Sequence, residues 1–116
     1  MMTINQYIEN VTDPVRKSRI QTIVNHIRET YPNVIESCDY APKTKIPMFK
    51  LPNSDTYVAI NSPKSYLSLH FGKYNVTEII AATDSRIKQG VGCAKIPDKV
   101  ELPMNEIKEA IKICFK

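Results

Sequence analysis

The chain contains no tryptophan, only three glycines and only three cysteines. Each scarcity excludes something. Cys38, Cys93 and Cys114 are widely spaced, odd in number and form no CxxC pair. Neither a disulfide framework nor a zinc ligand spacing is expected, and a reduced, cytoplasmic protein fits such cysteines. Two of the glycines fall in "KQGVGCAK". A lone GxG that precedes a strand is not a Walker loop, and no helix dipole assists it. Basic residues are scattered, with no run that would mark a nucleic-acid tail. No apolar stretch approaches the roughly twenty residues needed to span a bilayer, and no membrane partner is expected. "MMTINQYIENVTDPVRKSRI" lacks an apolar signal core, so no secretory signal is expected either.

What is present describes an ordinary globular chain. Its 116 residues are 42% hydrophobic and 24% charged, which suits one domain over residues 1–116. The formal net charge of +4 is a mild basic excess. It favours encounters with anionic partners without specifying one.

Ile4, Tyr7, Ile8 and Val11 share one helical face, which predicts a short helix over 3–11 with Thr3 as its cap. Asp13 and Pro14 restart the chain into a second helix, Pro14 to about Thr30, with an apolar stripe of Ile20, Ile23, Val24, Ile27 and Tyr31. Pro32 ends it. "VIESCDY", "IPMFKL", "TYVAI" and "YLSLHF" then read as four strands of an antiparallel meander. In the last of these, Leu67, Leu69 and Phe71 alternate with Tyr66, Ser68 and His70. "NVTEIIAATDSRI" reads as a third helix, "GVGCAKI" as a fifth strand and "LPMNEIKEAIKICFK" as a closing helix. The order αα-ββββ-α-β-α predicts an α+β fold: a mostly antiparallel sheet of about five strands with helices packed on one face.

Several stretches carry a resemblance: "YIENVTDPVRKSRIQTI", "ESCDYAPKTKIPMFKL", "KSYLSLHFG" and "GVGCAKIPDKVELPMNEIKEAI". Together they resemble the YdhG-like domains, a family of small, mostly uncharacterised bacterial proteins, along nearly the whole chain. That family is similar in fold to YjbR-like proteins and, more distantly, to frataxin. Some members are described as frataxin-like iron chaperones. The resemblance thus implies a YdhG-like fold, iron as the cofactor or cargo, and an iron-using protein as partner. Tyr40 and "PMF" match the family pattern, whereas "YAPKTKIP" makes a longer and more basic turn than the family's usual one.

Strand parity puts candidate binding residues on the sheet face away from the helices: Met48, Lys50, Tyr57, Tyr66 and His70. Tyr40 and the turn residues Gly90, Gly92 and Lys95 flank them. Aromatic and basic groups on an open sheet are what base stacking and phosphate contacts need. The same residues also suit a merely solvated sheet face, and the glycines also suit a tight turn into a strand. Asp39, His70 and Cys93 are the metal candidates. The first two helices set Glu9, Asp13 and Glu29 against Arg16, Lys17, Arg19 and Arg28, so they form no acidic ridge for a hard cation. Cys93, near Lys95, could act as a nucleophile if His70 served it across the sheet, but a small residue on a strand is the commoner use of cysteine. The expected function is a small cytosolic binding protein without catalytic residues. Its named version is the iron chaperone that the resemblance implies. The alternative is a module for an anionic partner, either single-stranded nucleic acid or an acidic protein.

Overall fold

The computed structural model describes residues 2–38, 45–72 and 76–116. Helix α1 (Ile4–Glu9) begins at a capping box. The Thr3 hydroxyl accepts the Gln6 backbone N–H at 3.1 Å, and Gln6 Oε1 accepts the Thr3 N–H at 2.8 Å. Helix α2 (Pro14–Thr30) starts where Asp13 accepts the Arg16 N–H at 3.0 Å and Pro14 takes the first turn. Its stripe buries Ile20, Ile23, Val24 and Ile27 completely.

Strands β1 (Ile35–Ser37), β2 (Met48–Lys50), β3 (Val58–Asn61) and β4 (Tyr66–Phe71) form the expected meander. Helix α3 (Thr77–Ala81) leads into β5 (Lys88–Gly90) and β6 (Cys93–Pro97), and α4 (Met104–Cys114) closes the chain. The strand order is β1-β2-β3-β4-β6-β5, and every neighbouring pair is antiparallel.

The sheet therefore has six strands among the described residues, where the sequence reads as about five. "GVGCAKI" is not one strand. Val91 and Gly92 form a turn, and β5 begins before the glycines. Gly92 has φ +69°, the left-handed value that the third position of a type II turn requires. An added Cβ there would also lie 3.2 Å from the Phe71 carbonyl oxygen.

One face of the sheet supplies Phe49, Val58, Ile60, Leu67, Leu69, Phe71, Ala94 and Ile96 to a core shared with α2 and with Ile107, Ala110, Ile111 and Cys114 of α4. Tyr31 and Phe115 meet edge to face at 5.0 Å, joining the end of α2 to the end of the chain. Polar ties fix α2 against the sheet. Arg28 makes a bidentate pair with Glu36 of β1 at 2.8 and 2.7 Å. Arg16 pairs with Asp98 at 3.2 Å, and Arg19 donates to the carbonyls of Pro97 and Val100. No helix among the described residues is long and apolar enough to cross a membrane.

Candidate functional site

The register aligns one row of residues across all six strands: Ser37, Met48, Ala59, His70, Cys93 and Gly90. Side-chain alternation puts this row on the face opposite the core. A second row holds Asn61, Ser68, Lys95 and Lys88. Tyr66 lies beyond it, opposite Pro97. On the other side Lys50 stands opposite Ile35. The β2–β3 register, carried one residue on, brings Lys50 opposite Tyr57. The ring of Tyr57 lies beside Gly72, 3.1 Å from where a Cβ would stand.

The face thus gathers Met48, Lys50, Tyr57, Tyr66, His70, Gly90 and Lys95, as parity suggests. Gly92 sits in the turn at its edge. Asp39 and Tyr40 lie outside the described residues.

His70 occupies the middle of the face and is half-buried. Its Nε2 lies 3.0 Å from the Ser68 hydroxyl. Burial pulls its pKa below the ordinary 6.5, and the nearby Lys95 charge adds to that effect. The imidazole is therefore held towards its neutral form. Phe71 N–H donates to the Gly92 carbonyl at 2.8 Å, so the next pair, His70 and Cys93, is a non-hydrogen-bonded one. Side chains of such pairs sit closest, with Cα atoms about 4.5 Å apart. On its other side the Cys93 sulfur fills the space above Gly90, 2.7 Å from where a Cβ would stand.

Charge is distributed unevenly between the two faces. Lys50, Lys88 and Lys95 all belong to the outer face. The one carboxylate within the described strands, Glu36, stands opposite Phe49 on the helix side and is tied to Arg28. Lys88 and Lys95 are directly opposite each other in register. Neither they nor Lys50 has a carboxylate partner among the described residues. Lys95 instead holds its ammonium 5.7 Å from the centre of the Tyr66 ring.

Two open clefts lie elsewhere. One, of about 580 Å3, is lined by Tyr7, Asn10, Thr12, Arg16 and Lys64 among others. Its Arg16 is engaged by Asp13, Asp98 and the Ser62 hydroxyl, so the guanidinium is already neutralised. The other, of about 470 Å3, includes Asp84, Glu101 and Glu106. Arg86 forks onto Asp84 and holds its pKa at about 2. Among the described residues no three of His, Cys, Asp and Glu converge as a metal-binding group. His70 and Cys93 would offer one nitrogen and one sulfur, a donor set unlike the oxygens that a hard cation prefers.

No protein-family model and no curated protein matches the chain. A solved structure does: a protein of the DUF1801 family, YdhG from Bacillus subtilis. It superposes with a TM-score of 0.75 over 96% of this chain and 86% of that one, at 16% identity. The fold is YdhG-like. At that identity the likeness carries architecture and no activity.

Parity turns Ala59 and Ser68 outward, as they stand, but sequence reasoning missed their burial, and it missed Lys88 as a member of the YdhG-like sheet's outer face. Ala59 and Ser68 are buried although they face outward. They lie in register between larger residues, Ala59 between Met48 and His70, and Ser68 between Asn61 and Lys95. Lys88 was missed because its strand was missed. Its place opposite Lys95 follows once the "GVG" turn is read as a two-residue hairpin.

Proposed function

We propose that this is a small cytosolic binding protein without catalytic chemistry, and that the outer face of its sheet receives an anionic partner. The observation that carries this reading is the charge segregation. Three lysines without carboxylate partners share a face whose described strand positions hold no acidic residue. Like charges placed directly opposite each other, as Lys88 and Lys95 are, cost stability until an anion neutralises them.

The iron-chaperone reading implied by the YdhG-like resemblance has weaker support from the same face. Iron would need hard oxygen ligands, and the strand carboxylate that could supply them faces the helices. His70 and Cys93 remain its best donors among the described residues.

An amide chemical-shift map distinguishes the two. Titration with inorganic polyphosphate should move the signals of Lys50, Tyr66, His70, Lys88 and Lys95, with an affinity that falls as salt rises. Anaerobic titration with ferrous iron is the second arm. Saturable broadening centred on His70 and Cys93, with no polyphosphate shifts, would replace the anion reading with the metal one.

A further inference from the structure

We infer that the anionic partner is a single-stranded nucleic acid lying diagonally across the sheet, from the Lys50–Tyr57 corner to the Lys88–Lys95–Tyr66 corner. This rests on the outer face being the working surface. What it adds is the chemistry of the partner.

Each basic corner of the face has its own aromatic ring. The β2–β3 register, carried one residue beyond its last pair, brings Lys50 opposite Tyr57, and Lys95 lies over Tyr66. An acidic peptide would use the ammonium groups alone. A nucleic acid uses both kinds of group, because its phosphates pair with lysine and its bases stack on a ring. In a duplex the bases are already stacked and cannot reach the rings, so the strand must be single.

The spacing also suits a strand. Three strand spacings and four residues of rise separate Lys50 from Lys95. At about 4.8 Å per strand and about 3.4 Å per residue, the corners are roughly 20 Å apart. That is more than one base and its phosphate can bridge, and it falls at the short end of the roughly 4–16 nucleotides that one sheet-based module covers. Between the corners the central row holds Ala59 and His70, so a strand crossing there meets the short Ala59 side chain and the half-buried imidazole of His70.

The test is fluorescence anisotropy of the full chain with four probes of matched charge: oligothymidylate, an abasic oligodeoxynucleotide of equal length, inorganic polyphosphate and polyglutamate. Oligothymidylate should bind about tenfold or more tightly than the abasic strand, the gain expected from one or more stacked bases. Tyr66→Leu should reduce that preference, with Tyr57 left to stack, while leaving polyphosphate binding unchanged, which also shows that the variant is folded. Lys88→Gln should weaken all anionic probes and reduce the salt slope for oligothymidylate by about 0.7. Equal binding of oligothymidylate, abasic strand and polyphosphate would overturn the nucleic-acid inference and leave the anionic face standing. So would polyglutamate binding as tightly as oligothymidylate, which would point to an acidic protein. Binding of no probe would overturn both.

Discussion

Gly90 and Gly92 are two residues apart, and they should respond differently to a side chain. At Gly92 the backbone has φ +69°. An L-residue there carries the left-handed penalty of about 1–2 kcal/mol, and the Phe71 carbonyl oxygen cannot move aside. At Gly90 the obstacle is the Cys93 sulfur, the end of a side chain that can rotate. Gly92→Ala should therefore lower the urea midpoint clearly and Gly90→Ala less so, and the Gly90→Ala cost should vanish in a Cys93→Ala background. If Gly90→Ala is equally costly with and without Cys93, the sulfur is not what limits the position. His70 gives a second test at this scale. Its pKa is depressed in the folded state by burial and by Lys95. The unfolded chain therefore takes up the proton first as the pH falls below 6.5, so the contribution of His70 is full above that pH and is lost on descent towards the folded pKa. His26, depressed by burial and Lys108, acts in the same direction. Stability should fall as the pH drops from 6.5 towards the depressed folded-state values, and His70→Gln should flatten part of that fall. An unchanged profile would mean that His70 titrates alike in both states.

Among the elements, α2 was fully legible. A capping aspartate, a proline in the first turn, an apolar stripe and a terminating Tyr-Pro all agree, and the helix spans Pro14–Thr30. Strand β4 was legible because its period of two is unbroken by loops. Strand β5 was not. Lys88, Gln89 and Gly90 are exposed on an edge, so burial imposes no alternation for a pattern to reveal. The sidedness of the sheet was readable from parity, but the partner of each strand was not, because the placing of β6 between β4 and β5 depends on pairing and not on pattern. Neighbouring residues of β2 test that sidedness. Phe49 is fully buried in the core, and Phe49→Ala should cost about 3–5 kcal/mol in urea or thermal unfolding. Met48 is half-exposed on the outer face, and Met48→Ala should cost no more than about 1 kcal/mol. Comparable losses would mean that the outer face is packed like a core and is not open for a partner.

Across the whole molecule, the α+β architecture and its YdhG-like form could be expected from element order and local resemblance, and the fold agrees with the DUF1801 structure. The outer-face residues could be named because parity assigns a face. Their charge environment could not, because the removal of Glu36 to the helix side and the pairing of Lys88 with Lys95 depend on register. The net charge of +4 is too small to define a partner, and its arrangement is what distinguishes this surface. Placement and total charge can be separated by one measurement, calorimetric titration of inorganic polyphosphate into two double variants that lose the same charge. Lys88→Gln with Lys95→Gln neutralises the sheet face, and Lys108→Gln with Lys112→Gln neutralises exposed positions on α4. If the sheet face is the working surface, the first pair loses polyphosphate binding and the second keeps it. Equal loss in both variants would show that the chain attracts anions through its overall charge and that the open face is not a site.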